Sequence, residues 1–496
     1  MQLKKLVFIS AVASCSAFSP RILGRTHAQP APRSCELNLF SALGFGGNMA
    51  GSKEMPEGFQ DTAKGWDELE TMLYQQMSDK TKEMQALQAK GDGPASASAN
   101  LRLFGAPQGT DPRVVLYRDD ASWCPYCEKV WLQLEVKKIP YRVERTPMSC
   151  YGSKPRSFLT INRSGAIPVA IIDGVVIKES NDIMMTLEET FPDHNPLLPP
   201  PGSLERDVAS TLLRLERQLF SQWFRWLTSY GTEAANRSQQ GAFEETMDRV
   251  NQALEDQGGP YFMGKDISLV DCMYAPFLER MAASLPYYKG LKVEGNERWP
   301  AVNRWFEEMF TREDFGAIRS DYYTHVHDLP PQVGGCTSTD SSKPYADEID
   351  GTDGSWALPL KQGIEPIGPK SETEAKLEAA QRLISNHEAV VAFSLRGLAG
   401  PGSPRVSAPY SDPYAMAEET FEPAVDAALR HITQALLTCP EATQEAGLSV
   451  NQPSEEVVKS LSYLGRRIGV PRDMSFAGAR QLRGHLEWYK GIMTAQ

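Results

Sequence analysis

Between residues 112 and 191 the spacing of apolar positions changes several times. VVLYR (114–118) is an apolar run of strand length, and CPYCEKVWLQLEVKK (124–138) reads as a helix. PYRVER (140–145) is extended again. AIPVAIIDGVVIKES (166–180) holds two β-branched runs joined by Asp173-Gly174, a pair that tolerates the positive φ of a tight hairpin turn. Ile183, Leu187 and Phe191 then recur every fourth residue, which predicts a helix ending at FPDHNP.

Strand, helix, strand, hairpin and helix, in that order, is the thioredoxin arrangement. After the turn-rich NPLLPPPGS the pattern is purely helical. Val208, Leu212, Leu215, Leu219, Trp223 and Trp226 step by three or four, and in SLVDCMYAPFLERM Ser268 and Asp271 have the spacing of a capping box. Residues 331–370, dense in Pro, Gly, Ser, Thr and Asp, read as a linker or a tail laid over a surface. A further helical region begins at Ser371, which is spaced to cap with Glu374. It continues through Leu377, Ala380 and Ile384, then Phe421, Val425, Leu429, Ile432 and Leu436, then Val457, Leu461 and Leu464. Upstream, one helix is predicted from Asp61 to Lys90, with Trp66, Leu69, Met72, Leu73 and Met77 on a side that packs on a domain or a partner. The expected division is an N-terminal extension at 51–110, an α/β domain at 111–199, an all-helical domain at 203–330, the linker, and a helical module at 371–496. A chain of 496 residues suits two to four domains.

The N-terminus has a different chemistry. Lys4, Lys5, Arg21, Arg25 and Arg33 are the only charges among the first 35 residues. LVFISAVASCSAF has the order of a signal peptide (1–17) and is too short to span a bilayer. The basic stretch FSPRILGRTHAQPAPRS, acid-free from Phe18 until Glu36, suits a transit segment (18–50). Together they resemble the two-part plastid import signals of diatoms and related algae, so the expected location is the plastid (chloroplast) of an alga with secondary plastids; the signal half alone would suit secretion. Without those five positive charges, 46 Lys and Arg face 63 Asp and Glu, a formal −17. That balance argues against nucleic acid or an anionic membrane as the partner.

Eight cysteines lie at 15, 35, 124, 127, 150, 272, 336 and 439, and only 124 and 127 are spaced for shared chemistry. A thiol reacts as its thiolate, which a helix N-terminus stabilises, and Cys124 has that placement. Pro125 fixes φ at a position whose N–H has no helical partner. Cys127, one turn on, is placed to attack a mixed disulfide at Cys124. Zinc is disfavoured because no second CxxC or paired histidine follows, and His325 and His327 fall in what reads as a surface tail. Arg466, Arg467, Arg472, Arg480 and Arg483 gather in GRRIGVPRDMSFAGARQLRGH, where a solvated face is favoured over an anion site.

From about Pro112 to His327 the chain resembles a glutathione transferase. The resemblance rests on CPYC, SKPRSFLTINRSGAIPV, a strand ending in KES, and the SLVD box, in that order. It is strongest to the cysteine-type classes (omega, dehydroascorbate reductase), above all the iota class with its long C-terminal extension. The resemblance implies a thioredoxin-like domain followed by the all-α transferase domain, with the additional helical module behind. It makes Cys124 the nucleophile and Pro168 a cis-proline, with the Ile167 backbone pairing with the cysteinyl part of glutathione. Glu179 and Ser180 would hold the γ-glutamyl end and Lys154 the glycyl carboxylate. The expected function is a glutathione-dependent thiol transferase, with glutathione as cosubstrate, no cofactor and no metal. Glutathionylated or oxidised small molecules or proteins would be its substrates, and a homodimer its assembly. Two alternatives remain open here: a non-catalytic plastid ligand-binding or assembly protein on this scaffold, and a dithiol oxidoreductase independent of glutathione.

Overall fold

The computed structural model describes residues 54–495. The expected signal and transit segments (1–17 and 18–50) lie outside them. Among the described residues, no helix is long and apolar enough to cross a membrane.

The N-terminal extension carries α1 (Trp66–Gln76) and α2 (Asp79–Ala89) where one helix was expected. Met77 is extended, and the Ser78 side chain accepts from the Thr81 N–H, so a local cap ends the first helix and starts a second. The strands β1 (Leu101–Arg102), β2 (Val114–Asp119), β3 (Tyr141–Thr146), β4 (Val169–Ile172) and β5 (Val175–Ile177) form one sheet in the order β1-β3-β2-β4-β5. β2 and β3 run parallel, joined by α3 (Pro125–Lys137), and the other pairings are antiparallel. α4 (Arg156–Ile161) and α5 (Ser180–Thr190) complete this layer. Asp173 and Gly174 turn the hairpin, both at positive φ.

Five helices follow: α6 (Leu204–Thr228), α7 (Glu233–Asp256), α8 (Leu269–Lys289), α9 (Pro300–Thr311) and α10 (Glu313–Gly316). Apolar side chains of these helices and of the sheet layer share one core, with Leu116 and Val130 meeting the set that includes Trp223, Tyr274 and Trp305. α8 is the central helix of this half, buried along almost its whole length. Its start is fixed by Asp271, whose carboxylate accepts from the Ser268 N–H (2.8 Å) and hydroxyl (2.7 Å), the Phe262 N–H (3.0 Å) and Trp305 Nε1 (2.9 Å).

The expected linker is laid down on this body. α11 (Tyr322–Val333) runs into its first residues and α12 (Lys343–Asp350) lies within it. Tyr287 donates to Asp350 (2.8 Å), the Ile364 N–H to Glu348 (2.6 Å), and the Tyr322 N–H to Glu365 (2.9 Å). Its polar residues are spent on bonds to the body and within the segment itself, a use that composition alone does not reveal. His325 and His327, expected in a surface tail, are on α11. His325 is buried, and His327 pairs with Asp350 at 2.7 Å.

α13 (Glu372–Ser385), α14 (His387–Ala399), α15 (Glu422–Leu437), α16 (Pro440–Glu445), α17 (Ser454–Gly465) and α18 (Phe476–Ala495) build a second core. The Ser371 and Glu374 cap is present in both directions. Leu69 and Leu73 of α1 are buried in this core, and Trp66 Nε1 donates to Asp426 (2.8 Å). The two ends of the described chain therefore fold together. The arginine group serves the same assembly: Arg483 pairs with buried Asp321 (2.7 Å), Arg467 with Asp412 (2.6 Å), Arg472 with Asp473 (2.7 Å), and Arg480 donates to the Lys361 carbonyl. Three of the five thus fasten distant segments of the chain, where a solvated face was expected; Arg472 bonds only within its own turn, and Arg466 and Arg472 are both exposed.

Candidate active site

β2 ends at Asp119, and a short turn delivers Cys124 to the N-cap of α3 with Pro125 behind it. The turn is held from within. The Asp119 carboxylate accepts from the Trp123 N–H and from the Cys124 N–H (3.0 Å). The Cys127 and Glu128 N–H groups turn back onto the Cys124 carbonyl, at 3.1 and 2.9 Å. Cys124 is 6 % exposed and Cys127 only 1 %. Burial, then the hydrogen bond and charge of Cys124, push the Cys127 thiol well above the ordinary cysteine range. Cys127 is therefore a protonated donor to its neighbour.

The remaining expected residues come to the same end of the sheet. The Ile167-Pro168 bond is cis, and sheet pairing of this strand starts at Val169 opposite Tyr117, so the Ile167 main chain lies beyond the sheet's own ladder. Glu179 is the exposed N-cap of α5 and Ser180 its buried first residue, at the end of a helix whose first N–H groups have no helical acceptor. The Lys154 stem passes over Gly165, and its ammonium donates to the Pro147 carbonyl (2.6 Å) within the field of both sulfurs. Burial is the main influence on Lys154 and lowers its pKa, opposed by Cys127 and Cys124. Cys150 stands apart, buried, accepting from Gln332 Nε2 (2.6 Å), its thiol pushed up by burial to about 11.

The structure adds residues that spacing did not show. Lys129 on α3 is 2 % exposed and donates to Asn181 Oδ1 (2.6 Å), beside Glu179 and Ser180. Burial pulls its pKa down to about 7, opposed by Glu216, Cys124 and Glu179. The signal was available: a lysine on the buried run Val130–Val136. Tyr126, Phe220 and Phe277 form an aromatic group nearby, with ring centroids 6.0 Å apart for Tyr126 and Phe277 and 5.1 Å for Phe220 and Phe277; the Arg217 guanidinium lies over the two phenylalanines.

Beneath the turn, Trp123 is clamped at both ends. Its Nε1 donates to His325 Nδ1 (2.9 Å), and its carbonyl accepts from Arg280. Arg280 also holds Glu128 (2.8 Å), which shares its buried place with Glu279. Burial and then the charge of Glu279 raise Glu128 well above the carboxylate range, so Glu128 carries the pair's proton. Burial lowers His325 well below the usual histidine value, leaving a neutral ring that accepts at Nδ1. This closed ring of contacts fixes the residue before Cys124.

A thioredoxin-like layer with a cysteine at the N-cap, followed by an all-helical half, defines the class of fold. The family models described as "Glutathione S-transferase, N-terminal domain" and "Glutathione S-transferase, C-terminal domain" match residues 123–190 and 232–308. The chain is 31 % identical over 212 residues to "Glutathione S-transferase DHAR3, chloroplastic" of Arabidopsis thaliana, covering 43 % of this chain and 75 % of that one. It is 30 % identical to "Glutathione S-transferase DHAR2" of the same plant, over 39 % of this chain and 82 % of that one. Among solved structures, the omega 3C glutathione transferase of Trametes versicolor is 27 % identical, with TM-score 0.37, over 43 % of this chain and 91 % of that one. The dehydroascorbate reductase of Chlamydomonas reinhardtii is 24 % identical, with TM-score 0.33, over 42 % and 92 %. The chain belongs to the glutathione S-transferase family.

Proposed function

We propose that this protein is a glutathione-dependent thiol transferase whose working sulfur is Cys124. The observation that carries this reading is convergence: an N-cap cysteine, the Ile167 main chain before Pro168, the start of α5 with Glu179 and Ser180, and Lys154 all meet at one end of the sheet. They suit a peptide with a thiol in its middle and carboxylates at both ends. Lys129, beside Ser180, adds a donor where the γ-glutamyl group would lie.

In the first step the Cys124 thiolate attacks the glutathione sulfur of a mixed disulfide. The Cys124–glutathione disulfide forms and the substrate leaves as its thiolate. In the second, the thiolate of another glutathione attacks that glutathionyl sulfur, releasing oxidised glutathione and restoring Cys124. The buried, protonated Cys127 is a poor attacking group, which favours this monothiol route over an internal disulfide. Dehydroascorbate is a second candidate oxidant, in keeping with the names of the plant relatives. Conjugation to electrophiles is expected to be weak, because a cysteine centre bonds to the glutathione sulfur. The chloroplastic relatives and the N-terminal sequence pattern support a plastid location.

The test is reduction of a glutathione mixed disulfide, and of dehydroascorbate, by two variants. Cys124→Ser should lose at least roughly 1,000-fold in turnover, the scale of removing a nucleophile. Cys127→Ser should keep the same order of turnover as the wild type and accumulate a one-glutathione adduct visible by mass. Full activity in Cys124→Ser would end the proposal; a Cys127→Ser variant arrested at the adduct would replace the monothiol route with the dithiol one.

A further inference from the structure

Two sulfurs alone are too few ligands to hold zinc. The fold supplies a third ligand. Asp119, Cys124 and Cys127 are all buried, and their ligand atoms lie within 4.8 Å of one another. We propose that these three residues form a capture site for one zinc-type divalent cation, and that metal occupancy and thiol chemistry at Cys124 exclude each other.

The donor set selects the ion. Two sulfurs with a carboxylate favour a borderline-soft cation over magnesium or calcium. With Zn–S at about 2.3 Å, the sulfurs of a tetrahedral site sit a little under about 4 Å apart, so small side-chain rotations close the observed spread. Asp119 is already oriented: one oxygen accepts from the Trp123 and Cys124 N–H groups, leaving the other for the ion, as outer-shell bonds orient ligands elsewhere. Three protein ligands leave one tetrahedral position open for water or an incoming ligand. The Lys154 ammonium faces the same sulfurs and opposes a second cation, which also points to a reversible guard over the thiols in place of a permanent structural metal.

Binding forms two metal–sulfur bonds and releases to solvent the proton of each sulfur that still carries one, that of Cys127 among them, and no electron moves. A Cys124 sulfur already bonded to glutathione, or to Cys127, has no thiolate to give. The inference does not depend on the transferase reading, since it needs only the reduced side chains.

The full-length reduced protein, kept anaerobic, is titrated with Co²⁺ while the thiolate-to-cobalt absorption is followed, and Zn²⁺ is then added. One equivalent should bind and be displaced by Zn²⁺. Asp119→Asn should weaken binding by at least about tenfold, the scale of disturbing a ligand shell. Cys127→Ser should weaken it by at least roughly 100-fold, the upper end of the cost of losing an outer partner, since a ligand itself is lost. Wild-type protein treated with oxidised glutathione should show no band; it needs no substitution and so answers even if Asp119→Asn does not fold. No cobalt–thiolate band in the reduced chain, a band that survives glutathionylation of Cys124 or loss of Cys127, or undiminished affinity in a folded Asp119→Asn variant would each overturn the proposal.

Discussion

Lys129 shows how one buried charge shapes this site. Its ammonium sits among Asn181, Glu179, Glu216 and Cys124, and burial holds its pKa at about 7 against the ordinary 10.5. Between those values the unfolded chain holds a proton that the folded chain does not, so folding stability rises as pH rises from 7 toward 10.5. The contribution amounts to about 2 kcal/mol between pH 7 and pH 9, at about 1.4 kcal/mol per pH unit. Lys129→Met should remove that part of the slope, measured as the difference between variant and wild-type urea midpoints at the two pH values. An unchanged difference would show that Lys129 stays charged in the folded protein. The expected residues from Lys154 to Ser180 were readable because each sits in a short motif with its own local geometry. Lys129 was signalled only by its place on a buried helical run, and Asp119 and His325 were not readable. Asp119 is near Cys124 in sequence but has no motif of its own, and His325 acts across a distance that spacing does not encode, accepting from Trp123 202 positions away.

At the scale of elements, α8 shows where local and tertiary demands agree. Ser268 and Asp271 have cap spacing in the sequence, and in the fold the same carboxylate also takes the Phe262 N–H and the Trp305 indole. Asp271→Ala would strand buried donors that each cost about 1–3 kcal/mol unpaired. The variant should therefore lose roughly 3–5 kcal/mol of stability, a large defect of the kind expected from a broken buried network. Denaturant unfolding measures this, and a loss below about 1 kcal/mol would mean that solvent replaces the carboxylate. α1 and α2 show the opposite case: one continuous apolar stripe predicts one helix, but the Ser78 cap and the extended Met77 divide it. A polar residue that caps and one that merely faces solvent look alike in a periodic pattern.

For the whole molecule, the notable join is between the N-terminal extension and the last helical module. Arg430 of α15 pairs with Asp61 and Asp426 and donates to the carbonyls of Ala63 (2.9 Å) and Lys64 (3.2 Å), pinning the segment that leads into α1. Arg430→Ala should free that segment at a cost of about 2 kcal/mol or more in local stability, the scale of hydrogen bonds to a charged group. Trypsin should then cleave after Lys64 at least about tenfold faster when cleavage follows local opening. Equal rates in variant and wild type would mean that Trp66, Leu69 and Leu73 hold the segment unaided.

By itself the sequence determined the elements and most of the candidate site. Strand and helix periods, the Asp173-Gly174 turn, the Ser268 and Ser371 caps and the CPYC motif are local, and local geometry follows from neighbours in the chain. The tertiary structure alone decided which distant pieces share a core, that the 331–370 tail is bonded down, that Asp119 faces two sulfurs, and that Cys127 is shut away from solvent. Those outcomes depend on burial and on which side chains the packing brings together, and no pattern along a single chain records which surfaces meet.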